Sequence, residues 1–89
     1  MKKQNDELPK NERPIAVIFS STDQQIHYAI SCYKSDIFST IVNELYEEYP
    51  KLKSKNIYFI AGGNAIDMSL TLEQNKIKNS TTILINYID

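Results

Sequence analysis

The chain has very few of the residues that build covalent or metal-bound frameworks. Its 89 residues include one cysteine, Cys32, and one histidine, His27. A lone cysteine cannot form an internal disulfide, and this pair cannot supply a cysteine-based or multi-histidine metal centre. Glycine occurs only as Gly62 and Gly63, and tryptophan is absent. Two adjacent glycines with no lysine following them do not make a phosphate-cradling loop. No apolar run exceeds five residues, whereas a membrane-spanning helix needs about 20. Basic excess is missing too: ten Lys and Arg stand against eleven Asp and Glu, a net charge of -1. A general nucleic-acid binder usually carries a positive excess, so no nucleic-acid partner and no membrane insertion are expected.

What is present is a small soluble-type composition, 42% hydrophobic and 24% charged, sufficient for one domain. Residues 1–13 contain only Met1 and Leu8 as apolar side chains. Such a segment cannot bury enough surface to offset its ordering entropy, so 1–13 reads as a flexible tail and 14–89 as the domain. The tail lacks the apolar centre of a secretory signal and is too acidic for a mitochondrial presequence. With a free thiol in addition, the expected location is intracellular, cytoplasmic or nuclear.

Ile15 to Phe19 is β-branched and aromatic and reads as a strand. Ser21-Thr22-Asp23-Gln24 reads as a turn, and Ile26, Tyr28 and Ile30 alternate as the second strand of a hairpin. The period then changes. Phe38, Ile41, Val42, Leu45, Tyr46 and Tyr49 follow helical spacing over about 36–49, with Ser35 or Asp36 as the cap and Pro50 as the stop. Glu44, Glu47 and Glu48 fall on its outer face, and Leu52 reads as a buried anchor. Ile57 to Ala61 is a third strand ending at Gly62-Gly63, where a tight turn with positive φ is expected. Ile66 lies in a short return strand, and Leu70, Leu72 and Ile77 mark a short helical turn. A last strand spans Thr82 to Ile88, with Ile83 and Ile85 inward and Leu84 and Asn86 outward.

This order is that of a β-grasp, and local residues sharpen it. The segment Phe59-Ile60-Ala61-Gly62-Gly63-Asn64-Ala65-Ile66 resembles the third strand and turn of the ubiquitin-like family. It is followed at fixed spacing by Thr71-Leu72-Glu73-Gln74-Asn75-Lys76-Ile77 and Ser80-Thr81-Thr82-Ile83-Leu84-Ile85, so the resemblance runs without a gap across residues 59–85. Asp36 to Ile41 resembles the family's helix start. The hairpin matches in pattern only, with a first turn one residue longer. The resemblance covers residues 14–88 and implies an α+β fold: a mixed four- or five-stranded sheet on one helix, its first and last strands paired in parallel.

Conjugated members of that family end in a mobile Gly-Gly tail, whose carboxylate is activated. This sequence ends Asn86-Tyr87-Ile88-Asp89, and Asn64 and Asn79 stand where chain-forming lysines would be. The expectation is therefore a module that is not itself conjugated. The alternative is a modifier made as a longer precursor, with a diglycine outside this sequence.

Catalytic chemistry finds no support. His27 has no cysteine or carboxylate partner at catalytic spacing and reads as a surface imidazole. Cys32 has only Lys34 nearby to stabilise a thiolate, so a semi-buried structural role is expected. Asp67 and Glu73 do not form an acid pair. No catalytic, cofactor-binding or metal-ligating residue is assigned, and the chain is read as a non-enzyme.

One surface feature remains. The resemblance places Ile60 at the centre of the family's main recognition patch, with Leu84, Gly63 and Asn86 at three further patch positions. Ile18 points outward by alternation and should lie beside Leu84 and Ile60, flanked by Tyr58 and His27. Three large aliphatic groups on a solvent face are unusual for a monomer. The sequence thus reads as a ubiquitin-like protein–protein interaction module, monomeric when isolated, on its own or as a small subunit of a larger assembly. It would dock through the outer sheet face around Ile60 and Leu84.

Overall fold

The computed structural model describes residues 12–88, so the expected tail lies outside the described residues except for Glu12 and Arg13. The elements are β1 (Ile15–Ser21), β2 (His27–Cys32), α1 (Phe38–Glu48), a 3₁₀ turn (Pro50–Ser54), β3 (Ile57–Ala61), β4 (Asn64–Ala65) and β5 (Thr81–Tyr87). They form one five-stranded sheet in the order β2-β1-β5-β3-β4. β1 and β5 pair in parallel at its centre, and the remaining pairs are antiparallel. This is the expected mixed sheet on one helix.

Strand alternation builds the core. Val17 and Phe19 of β1, Ile30 and Cys32 of β2, Phe59 of β3, and Ile83 and Ile85 of β5 are buried on one face. Phe38, Ile41, Val42 and Leu45 recur at i, i+3, i+4 and i+7, and all four are buried on the helix side. A stripe of that period meets the sheet over three turns of helix. Leu52, Leu72 and Ile77 close the ends of the layer. At its centre the rings of Phe19, Phe38 and Phe59 meet pairwise, with centroids 5.3–6.0 Å apart. Burial of one such side chain is worth about 1.5–3 kcal/mol. Tyr28 and Tyr49 add an edge-to-face contact at 5.7 Å, fastening the helix end to β2.

The helix starts differently from expectation. It begins at Phe38, and neither Ser35 nor Asp36 caps it; the N-cap is Ile37, without a side-chain hydrogen bond. Backbone carbonyls of a distant loop take the role instead. The Phe38 N–H donates to the Leu70 carbonyl at 2.9 Å and the Ser39 N–H to Met68 at 3.1 Å. The two polar side chains are thereby free for other work. The Asp36 carboxylate accepts the Tyr33 N–H at 2.8 Å. The Ser35 N–H and hydroxyl both donate to the Glu12 carboxylate at 2.8 Å. Glu12, two residues before Pro14, is thus bonded to the β2–α1 loop. At the other end, Pro50 sits at the first turn of the 3₁₀ segment, where its missing N–H is tolerated.

Gly62 and Gly63 have φ of 58° and 82°, as the expected tight turn requires. The return strand is Asn64–Ala65 rather than a strand through Ile66, although the Ile66 N–H still donates to the Phe59 carbonyl at 2.9 Å. The segment after it is a run of hydrogen-bonded turns in which the Asn75 N–H donates to the Thr71 carbonyl at 3.0 Å and the Lys76 N–H to the Glu73 carbonyl at 2.9 Å, and the Asn75 side chain adds bonds to the same loop. Asn75 Oδ1 accepts the Asp67 N–H at 2.9 Å, and Nδ2 donates to the carbonyls of Asp67 and Thr71 at 2.9 and 3.0 Å.

Two exposed carboxylates hold turns in place. Asp23 accepts the Ser21 hydroxyl at 2.6 Å and the Gln25 N–H at 3.1 Å. Asp67 accepts the Ser69 hydroxyl at 2.7 Å and the Ser69 N–H at 2.9 Å. These bonds, hydroxyl first and N–H second, hold both carboxyls below the usual carboxylate range. A folded-state pKa below the unfolded one gives stability that is present above the ordinary carboxylate range. It is lost as pH falls through the folded value. The melting midpoint should therefore drop between about pH 5 and pH 2. A protein carrying both Asp23→Asn and Asp67→Asn should show a flatter profile over that range by circular dichroism melting.

Candidate functional site

The outer sheet face is set by the same alternation that fills the core. With Val17, Phe19, Ile83, Ile85 and Phe59 turned inward, their neighbours Ile18, Leu84, Asn86, Tyr58 and Ile60 fall on the opposite face. Leu84 of β5 lies directly opposite Ile60 of β3, and Asn86 lies opposite Tyr58. These four make a contiguous block on two adjacent strands. Leu84 is 40% exposed and Tyr58 42%, while Ile60 and Asn86 are half-buried. Gly63 is exposed in the turn just beyond β3.

Ile18 does not complete a straight row. In the parallel β1–β5 pair it lies beside Thr82, whereas the residue beside Leu84 is Ser20. The row through the site is therefore His27, Ser20, Leu84, Ile60 and Ala65. The register sets this offset: with Phe19 beside Ile83 in the core, Ile18 falls one rung from Leu84 on the outer face. Ile18 is half-buried and reaches the block only diagonally. His27 is exposed at the far end of the row, separated from Ile60 by β1 and β5 and outside the block.

Asn86 carries a feature that alternation alone does not show. Its Nδ2 is buried without a hydrogen-bond partner among the described residues. A buried donor left unpaired costs roughly 1–3 kcal/mol, so this carboxamide is a poor structural choice near the end of β5. No residue pattern in the sequence signals it, because it depends on what surrounds a half-buried position.

The other candidates are structural. Cys32 is buried. Burial, reinforced by the charges of Asp36 and Glu44, pushes its thiol up to about 11. Such a thiol is protonated at neutral pH and unsuited to nucleophilic chemistry. Asp67 is committed to its loop and does not meet Glu73 as an acid pair. Among the described residues no group of three or more His, Cys, Asp or Glu side chains could hold a metal ion. No helix among them is long and apolar enough to cross a membrane. Sequence reasoning missed the small network at the β1–β2 turn. There the buried Ser21 hydroxyl accepts the Ile26 N–H at 2.9 Å while donating to Asp23. Tyr87 joins it; burial first, and the Asp23 charge second, raise its phenol pKa. The Ser21-Thr22-Asp23 triplet at the end of β1 was the available signal.

No protein-family model matches the chain, and no curated protein matches it by sequence. Solved structures do match in shape. The ubiquitin-like domain of an Arabidopsis thaliana protein, determined by solution NMR, is similar at a TM-score of 0.74 with 12% identity, covering 96% of this chain and 88% of that one. A de novo protein designed on the basis of ubiquitin is similar at a TM-score of 0.71 with 14% identity, covering 83% and 88%. At such identities the likeness concerns the fold: this chain has a ubiquitin-like β-grasp.

Two outcomes follow from the site's geometry. Asn86→Val removes the unpaired donor and adds a good strand former, so urea denaturation should show a gain of about 1 kcal/mol. The Cys32 thiol should react with a colorimetric disulfide reagent at pH 8 far more slowly in the native protein than in urea. Comparable rates in the two states would contradict its burial.

Proposed function

We propose that this ubiquitin-like β-grasp domain is a non-enzymatic protein-interaction module, on its own or as a small subunit of a larger assembly. It docks a protein partner through the outer sheet face centred on Ile60 and Leu84. The observation that carries this reading is the cross-strand pair itself: Leu84, 40% exposed, stands opposite Ile60, with the 42% exposed Tyr58 beside them. Aliphatic and aromatic groups held side by side on a rigid sheet offer a desolvatable centre at little entropic cost, the usual makeup of an interface hot spot. The core does not need these side chains, since Ile83, Ile85 and Phe59 fill the inner face of the same strands.

Leu84 is the discriminating position, because Ile60 is half-buried and a charge there would also disturb folding. Leu84→Glu should change folding stability by less than about 1 kcal/mol. It should weaken binding of a captured partner by about 2 kcal/mol or more. Ser31→Glu, an exposed change on the far strand of the same sheet, should leave binding intact. Paired affinity purification with wild type and both variants, followed by titration of whichever protein is retained, makes the comparison. If the partner survives Leu84→Glu and is lost when Glu44, Glu47 and Glu48 are reversed to lysine, docking is through the exposed helix face instead.

A further inference from the structure

A second recognition feature lies away from the outer face, where β1 begins and β5 is entered. Lys34, Lys76 and Lys78 rim an open cleft of about 480 Å³ floored by Ile15 and Ile77, with Glu73 as the single acid among the described residues that line it. The three lysines are exposed, while Ile77 is buried and Ile15 half-buried. We propose that this cleft is a docking site for an acidic peptide segment of a partner protein, in which carboxylates flank one aliphatic side chain.

Charge carries the first part of the argument. Three lysines against one glutamate give the cleft +2, in a chain whose net charge is -1. The cleft is therefore a local positive field on an otherwise acidic molecule, which selects for negative partners and speeds their encounter. The apolar floor carries the second part. A small anion would use the lysines and leave the half-buried Ile15 uncovered. A nucleic acid would call for stacking aromatics, and among the described residues no aromatic side chain lines the cleft. A peptide alternating acidic and aliphatic residues satisfies both surfaces at once.

The walls are also fixed before any ligand arrives. The Lys34 carbonyl accepts the Glu73 N–H at 2.9 Å, which ties the β2–α1 loop to the loop preceding β5. Asn79 Oδ1 accepts the Ala16 N–H at 2.9 Å, and the Ser80 N–H donates to the Ala16 carbonyl at 2.7 Å. The Lys76 N–H donates to the Glu73 carbonyl at 2.9 Å. Three chain segments are thus locked around the floor, and a preformed groove loses less entropy on binding.

The test uses the full chain and a fluorescein-labelled Glu-Asp-Leu-Asp-Glu peptide, read by anisotropy and by amide shifts. Saturable binding is expected, weakening as salt rises from about 20 to 300 mM, with the largest shifts at Ile15, Lys34 and Ile77. Combined Lys34→Glu, Lys76→Glu and Lys78→Glu should weaken it by about tenfold or more. Lys34→Gln with Lys78→Gln, which keeps long polar side chains at both positions, should give a smaller loss should the triple variant fold poorly. A peptide with glycine in place of leucine should bind several-fold more weakly. Leu84→Glu should leave the affinity unchanged, so this site and the outer-face site succeed or fail separately. Absence of saturation, shifts centred on Ile60 and Leu84, indifference to the lysine changes, or equal binding of an oligothymidylate would each overturn the proposal.

Discussion

The contact on which the rest depends is the meeting of Phe19, Phe38 and Phe59. These rings come from β1, the first residue of α1, and β3, so one cluster fixes where the helix lies on the sheet. Because Phe38 opens the helix, its burial also fixes where the helix begins. That in turn brings the first backbone donors of the helix against the loop carbonyls of Met68 and Leu70. A long irregular loop becomes part of the frame, since unpaired helix-end donors are costly when buried. Removal of one ring would therefore loosen three elements and a loop; Phe→Ala in such a core costs about 3–5 kcal/mol.

The sheet's central parallel pair follows from the same cluster. Phe19 lies beside Ile83, and Phe59 lies opposite Ile85. Those inward pairings leave no freedom for the outward side chains, because a one-residue slip would turn every core residue to solvent. The outer block of Tyr58, Ile60, Leu84 and Asn86 is thus positioned by residues on the other side of the sheet. A surface held this way takes its position from the core rather than from its own side chains. The unpaired Nδ2 of Asn86 belongs to that block, a place where local stability and packing do not agree.

Much of the fold was legible because its signals are local. Alternation in Ile15–Phe19 and Ile57–Ala61, helical spacing from Phe38 to Leu45, and Gly62-Gly63 each identify an element without reference to any other. The helix cap was not legible. Ser35 and Asp36 are ordinary capping residues, and only the approach of residues 68–70 relieves them of that work. Asn75 illustrates the same limit: a polar residue in a polar stretch gives no sign that it stitches a loop together. The candidate site was half legible. Its facing pair, Ile60 and Leu84, followed from alternation and resemblance, whereas the offset of Ile18 required the register.

The sequence by itself determined the secondary-structure elements, their order and the face each apolar residue takes, because periodicity is a property of neighbouring residues. It also determined the absence of a disulfide framework and of a multi-histidine centre, because composition alone limits those. Only the tertiary structure decided the row in which Ile60 and Leu84 stand, the loop that caps the helix, and the assembly of Lys34 with Lys76 and Lys78 around one apolar floor. Each of these joins groups far apart in the chain. Their relative positions are set by how the core residues pack across the sheet, and no local pattern encodes that distance.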